Sequence, residues 1–371
     1  MNVAAADFNT APSSDDFTNW EPEPGKPFSL HADLPFVYDL IPRDIRPPEP
    51  RWGWKGVVKS LAVHAGMPLT RLLAPGSKGM CLYTSWGGMG DEILHTAVVR
   101  ELAKKLGGPV WVLSLHPWVY REHRAVKGVI PPDGHVIAWA QQRAKVLFGG
   151  YGKRQRERNK PEYLQHQIAL ICEELGVRGE IELKPEVSLT EQEIVRARSY
   201  KDCIVVHSSI LGARYPLYNK QWPPERMAEV VRALSRNHRV VQIGGKRDPF
   251  LPGAKDLRGC HDLRHVAAVL ANAGLFVGIE GFHTHLARAV NCRSVVLYGG
   301  YSHPDETGYP CNENLFTELP CSPCYEPSGC NFRRKCLDVI SPSDVLAGVE
   351  RALARIGKPL EAERVCIPST R

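Results

Sequence analysis

Five stretches of the chain hold residues whose types and spacing could do chemistry. In CLYTSWGGMGDEILHTAVV (81–99), an apolar run meets Gly87, Gly88, Met89 and Gly90, then two adjacent carboxylates, Asp91 and Glu92. Glycines let a backbone turn tightly and approach a ligand. The loop is neither a Walker A, since no Gly-Lys-Ser/Thr follows, nor a GxGxxG fingerprint. A carboxylate at a helix start is favoured by the helix dipole and stays ionised at neutral pH, so it can take a proton from an attacking hydroxyl. Simple capping would also explain one of the pair.

Lys220 precedes Trp222-Pro223-Pro224 in NKQWPPERMAEVV, where proline fixes a helix start and a cation could meet a phosphate. The alternative is a solvated surface lysine. In GIEGFHTHLARAV (278–290), Glu280, Gly281, Phe282, Thr284 and His285 lead from a strand into a helix whose first N–H groups could hold a diphosphate. His283 and His285 are two apart and make a poor metal pair on a helix. Cys321, Cys324, Cys330 and Cys336 offer a CxxC and two C-x5-C steps, a set that could hold zinc or iron or simply be thiols. The basic run YGKRQRERNK (151–160) is a solvated loop or a holder of an anionic acceptor, nucleic-acid backbone included.

These residues need elements to carry them, and the pattern from Met80 supplies alternating strands and helices. MCLYTSW reads as a strand, DEILHTAVVRELAKKLG as a helix closed by glycine, and PVWVLSL as the next strand. The pattern restarts at Cys203 with CIVVHSS, PPERMAEVVRALSRN, RVVQIGG, HVAAVLANAG, LFVGIEG, FHTHLARAVN and SVVLYGG. Two such series imply an α/β chain with two doubly wound, Rossmann-like domains facing a central cleft. The divisions expected are an acidic tail (1–27), an extension (28–78), an N-terminal Rossmann-like domain (79–195), a C-terminal Rossmann-like domain (200–342) and a closing helix and tail (343–371). Residues 52–74 read as an amphipathic helix broken at Pro68, packed on the body or lying on a membrane.

The chain has 371 residues, 43% hydrophobic, with net charge +7. That suits anionic partners without choosing among them. No apolar run is long enough to span a membrane, and MNVAAADFNTAPSSDDF lacks the pattern of a signal peptide. The expectation is therefore a cytoplasmic protein, with its 11 cysteines as thiols or metal ligands.

In order and spacing, GGMGDEILHTAVV, NKQWPPERMAEVV, VVQIGGKRD, GIEGFHTHLARAVNCRSVVLYG and CSPCYEPSGC…ISPSDV resemble glycosyltransferase family 9, the heptosyltransferase-like enzymes, over about residues 79–350. The resemblance implies the GT-B fold. It also implies inverting transfer of a sugar, typically heptose from an ADP-linked donor, to an acceptor hydroxyl of the lipopolysaccharide core. The family's catalytic Asp falls on Asp91, its phosphate-binding Lys on Lys220, and the last residue of its Asp-x-Gly-x-x-His stretch on His285. Glu280 replaces the family's Asp, and Phe282 its Gly. Ser208 and Ser209 are expected to add donor contacts, and Asp248 to hold the ribose. No cofactor is implied for the transfer itself. A related branch binds iron through cysteines, but the spacing here is nearer that of the lipopolysaccharide enzymes; the zinc-or-iron reading of the cysteine group stands beside the thiol one. The partners implied are a nucleotide-sugar donor and an anionic glycan or glycolipid acceptor, with peripheral contact at the inner membrane. Two alternatives stand: a transferase acting on protein or modified DNA, and a catalytically decayed nucleotide-sugar binding protein, which the Glu280 departure would fit.

Overall fold

A computed structural model describes residues 81–85, 88–130, 145–149, 164–210, 217–260, 262–326, 329–360 and 363–368. Gly87, the tail and extension (1–78) and the basic run (151–160) lie outside the described residues. The chain divides into Met1–Arg46 and Pro47–Arg371, and every described residue belongs to the second unit.

The first sheet is all parallel, built from β1 (Cys81–Ser85), β2 (Val110–Leu113), β3 (Val126–Ile130) and β4 (Lys145–Gly149) in the order β3-β2-β1-β4. The second is also parallel. Its strands are β6 (Ile204–His207), β7 (Val240–Gln242), β8 (Lys255–Asp256), β9 (Leu275–Ile279), β10 (Ser294–Leu297) and β11 (Glu313–Leu315), in the order β11-β10-β9-β6-β7-β8. This is the doubly wound Rossmann order. The chain reverses direction between β1 and β4 in one sheet and between β6 and β9 in the other. At such switch points the loops leave a crevice at the carboxyl ends of the strands. The segments singled out for chemistry follow β1, β6 and β9.

The helices form where periodicity and caps agree. α1 (Met89–Leu106) ends at Gly107, whose φ of 73° closes the helix through bonds to Ala103 and Lys104 carbonyls. α2 (Gln167–Glu174) follows. α3 (Glu191–Arg196) starts on a capping box in which Thr190 and Glu193 satisfy each other's backbone N–H groups. α4 (Pro224–Leu234) has proline in its first turn and buries Met227, Val230, Val231 and Leu234 on one face. α5 (Leu263–Asn272), α6 (Phe282–Ala289) and the short α7 (Pro304–Thr307) and α8 (Lys335–Asp338) precede α9 (Pro342–Leu353), capped by Ser341.

One apolar cluster runs through helices of both sheets, joining Ile93, Leu94 and Ala97 of α1 to Leu286 and Ala287 of α6 and to Val266–Leu270 of α5. α1 thus packs directly on α6. A second cluster fills the other face of the six-stranded sheet, with Trp222, Met227 and Val231 against Val206, Leu297 and Val349. The segment after α9 adds a strand that the sequence reading did not foresee. β12 (Arg364–Ile367) pairs antiparallel with β5 (Gly179–Glu182), Arg364 opposite Glu182. No helix among the described residues is long and apolar enough to cross a membrane.

Candidate functional site: two facing helix starts

The starts of α1 and α6 meet at Gly90. A Cβ there would lie 3.3 Å from the Phe282 Cα and 3.4 Å from both the Phe282 nitrogen and the His285 ring. A methyl there would fit only if the neighbouring backbone gave way by a few tenths of an ångström. Gly281, the residue before α6, has φ 153° and ψ −155°, a conformation side chains disfavour. Glycine therefore suits both sides of this contact, by close approach at Gly90 and by backbone conformation at Gly281.

Asp91 stands in the first turn of α1, and its Oδ2 accepts the Gly88 N–H at 2.7 Å. The carboxylate thus serves the helix end and remains partly exposed. Glu92 does the opposite. It is 2% exposed, and its Oε2 accepts the Tyr120 hydroxyl at 2.7 Å. Burial pushes its carboxyl up to about 7. Hydrogen bonds from Tyr120 and Ser114 oppose that rise, and the neighbouring Asp91 charge adds to it. Adjacent carboxylates therefore occupy unlike environments. The sequence reading left capping to explain one of the two acids; the one available signal for Glu92 was that a single cap does not need both.

Lys220 closes a 3-10 turn, Tyr218–Lys220, ahead of α4. The turn is anchored by Trp222, 1% exposed, whose indole N–H donates to the Ile340 carbonyl at 3.1 Å. Gln221 holds the loop after β6 by donating to the Ser208 carbonyl and accepting the Ile210 N–H, both at 2.9 Å. The Lys220 ammonium is ion-paired to Glu280 at the end of β9 and lies 4.6 Å from the centre of the Tyr301 ring. Glu280 is 3% exposed. His285 bonds the Tyr309 hydroxyl at 2.9 Å. Burial pushes its imidazole down to about 4, Glu280 opposing and Lys220 adding to the effect. It is neutral at pH 7.

The remaining expected donor residues divide. Ser208 and Ser209 are 1% exposed at the end of β6, and the buried Ser208 hydroxyl has no hydrogen-bond partner among the described residues. Thr284 is fully buried, its hydroxyl donating to the Ile279 carbonyl. Phe282 is partly buried and meets Trp118 edge to face, ring centres 6.2 Å apart. Asp248 is 2% exposed; its Oδ2 accepts the Gly245 N–H at 2.8 Å and stands 3.8 Å from His207 Nε2. Its carboxylate thus closes the turn after β7.

Cys321, Cys324, Cys330 and Cys336 gather below the Lys220 turn, to which Asn219 ties their loop by donating to the Glu326 and Gly329 carbonyls. Cys336 Sγ accepts the Gly300 N–H at 3.1 Å and Cys330 Sγ the Arg334 N–H at 3.2 Å. Burial raises the thiols of Cys321, Cys324 and Cys336, and their neighbours in the cluster raise them further. Among the described residues, no group of three or more His, Cys, Asp or Glu stands where it could hold a metal ion.

The comparisons agree with this architecture. The profile of glycosyltransferase family 9 (heptosyltransferase) matches residues 130–329. The chain is similar in structure to a family 9 glycosyl transferase from Veillonella parvula, at 18% identity and TM-score 0.57, over 75% of this chain and 98% of that one. It is similar to the iron-containing dodecameric glycosyltransferase TibC from enterotoxigenic E. coli, at 15% identity and TM-score 0.57, over 74% and 76% of the two chains. TibC has also been solved in complex with ADP-D-β-D-heptose. E. coli ADP-heptose lipopolysaccharide heptosyltransferase II matches at 16% identity and TM-score 0.50, over 74% of this chain and 99% of that one. A sequence comparison with curated proteins gives no match. With its profile spanning more than half of the sequence and its two Rossmann sheets meeting through α1 and α6, the chain belongs to glycosyltransferase family 9 and has the GT-B fold.

Proposed function

We propose that this chain is an inverting glycosyltransferase that moves a heptose from an ADP-linked donor to a hydroxyl of an anionic glycan or glycolipid, the lipopolysaccharide core being the leading acceptor. One observation carries the reading. A partly exposed carboxylate at one helix start, Asp91, lies across the Gly90 contact from a second helix start flanked by Lys220. In this reading Asp91 takes the acceptor proton as the hydroxyl oxygen bonds to the anomeric carbon. The bond from that carbon to the diphosphate breaks on the opposite face, and the diphosphate leaves with the electron pair. Its growing charge meets Lys220 and the first N–H groups of α6, which a helix leaves without internal partners. The unpartnered Ser208 hydroxyl supplies a further donor. The choice of heptose and ADP rests on TibC and on heptosyltransferase II. A glycolipid acceptor fits peripheral contact on the cytoplasmic face of the inner membrane.

A second reading has its own observation. Lys220 is already neutralised by Glu280, which suits a protein that binds nucleotide-sugar without turning it over. Incubation of the purified protein with ADP-heptose and lipopolysaccharide core decides between them. Transfer is expected, with the product's anomeric configuration inverted by NMR. Tight ADP-heptose binding without transfer or donor hydrolysis would favour the binding protein.

A further inference from the structure

Glu92 is a buried acid that neither the fold nor the transfer chemistry has yet used. Its position in α1 faces the core, where an apolar side chain would pack without the desolvation a carboxyl suffers. Its carboxyl is not idle there. It accepts from Tyr120, itself 2% exposed, and the same hydroxyl lies 3.4 Å from the Glu92 carbonyl oxygen. Ser114, at the end of β2, bonds it as well. Two adjacent carboxyl groups therefore stand at one helix start, one partly exposed and tied to a backbone N–H, the other buried behind it and tied to a phenol. Pairs of acids held in such unlike surroundings mark divided proton-transfer roles.

We propose that Glu92 is a positioning residue for Asp91: its buried carboxyl, held by Tyr120 and Ser114 behind the helix start, sets how strongly Asp91 attracts the acceptor proton. The inference rests on the reading of Asp91 as base. The groups acting on Glu92 are Asp91 from its own helix, Tyr120 from the 3-10 turn Pro117–Tyr120 and Ser114 from the end of β2. While Glu92 is neutral, Asp91 carries the only charge of the pair and is the weaker base. Once Glu92 ionises, its charge makes Asp91 hold a proton more tightly and accept it more readily. The coupling is reciprocal, because each charge must shift the other by the same free energy. The Asp91 charge is among the causes that raise Glu92.

Two measurements test this. The first needs no substrate: carboxyl infrared difference spectra, assigned by Glu92→Gln, follow the ionisation of Glu92 in the wild type and in Asp91→Asn. The midpoint is expected to fall when Asp91 loses its charge, and an unchanged midpoint overturns the proposal. The second is the pH profile of kcat with ADP-heptose and lipopolysaccharide core. The wild type is expected to gain rate through a step near neutral pH. Glu92→Gln should lose that step and keep the lower plateau. Tyr120→Phe, which removes a bond favouring the charged carboxylate, should move the step to higher pH. A profile for Glu92→Gln that is lowered equally at every pH would mean a packing role only, and overturns the proposal. Where Glu92→Gln does not fold, Tyr120→Phe decides alone, an unmoved step counting against. Full transfer by Asp91→Asn overturns the base reading itself, and this proposal with it. A step retained in Glu92→Gln beside an inactive Asp91→Asn overturns this proposal alone.

Discussion

Lys220 and Glu280 form an ion pair across the mouth of the crevice between β6 and β9, with side chains 12% and 3% exposed. A charge so enclosed is costly without its partner. Removing one member of a buried pair costs about 3–5 kcal/mol, while replacing both can be nearly neutral. Lys220→Met is therefore expected to lower stability by that order. The double variant Lys220→Met with Glu280→Gln should recover most of the loss. Transfer should recover in neither, because the leaving diphosphate has lost its cation, a loss of about 100-fold or more in kcat. Denaturant unfolding and kcat on the three proteins check both halves. Recovered turnover in the double variant would remove Lys220 from the leaving-group role.

Gly90→Ala tests the contact between the helix starts. Alanine favours a helix interior over glycine by about 1 kcal/mol. The added methyl, however, meets Phe282 backbone at 3.3–3.4 Å, and backbone gives way poorly. Overpacking of this kind costs about 1–3 kcal/mol. The net expectation is a lower melting temperature. A displacement of about 1 Å between Asp91 and the α6 start can also cost about 100-fold in rate. A variant as stable and as active as the wild type would mean that the Phe282 backbone gives by the few tenths of an ångström a methyl needs, and that transfer does not depend on this contact.

The parts legible in sequence were those with local cause. α1, α4, α6 and α9 announce themselves by apolar spacing and by Gly107, Pro224, Gly281 and Ser341 at their ends. Asp91, Lys220 and residues 280–285 were legible as strand-end positions, since strands in a doubly wound sheet deliver their carboxyl ends to one crevice. What stayed hidden depends on distant partners. β12 exists because it finds β5 far back in the chain, and no local pattern encodes that pairing. Glu92 and Asp248 carry the same charge in sequence as any surface acid. Only the arrival of Tyr120 over one and the tight turn at Gly245 over the other turns them inward.

The linker between the two sheets is held by Arg264. Its guanidinium bonds both oxygens of Glu193 and the carbonyls of Trp118 and Ser188, the last at 2.7 Å. The Arg264 bond holds the Glu193 carboxyl down to about 2, with burial opposing and Thr190 assisting. A depressed carboxyl contributes stability that is fully present above its ordinary value and is lost as pH falls through its folded one. The window here runs from about 4.5 down to about 2. Arg264→Met is expected to lower the melting temperature at pH 7, by the equivalent of about 3 kcal/mol for a broken buried pair. The gap to wild type should narrow through that window as Glu193 protonates. Melting curves from pH 7 down to about pH 2 read it directly, and a gap independent of pH would assign the loss to the carbonyl contacts alone.

Asp91→Asn separates the two tasks that one carboxylate performs. Asparagine keeps a side-chain oxygen in place to accept the Gly88 N–H, so the helix start should hold and stability should change by less than about 1 kcal/mol. It cannot take a proton from a hydroxyl. A positioned base contributes about 100-fold to 10,000-fold to rate, so transfer should fall by that order while donor affinity is kept. Asp91→Ala should lose the cap as well, adding about 1 kcal/mol of instability without a further fall in rate. Melting temperature, donor titration and kcat on the two variants give the full comparison. If both transfer sugar at the wild-type rate, Asp91 is a cap and nothing more, and the base must be sought elsewhere in the cleft.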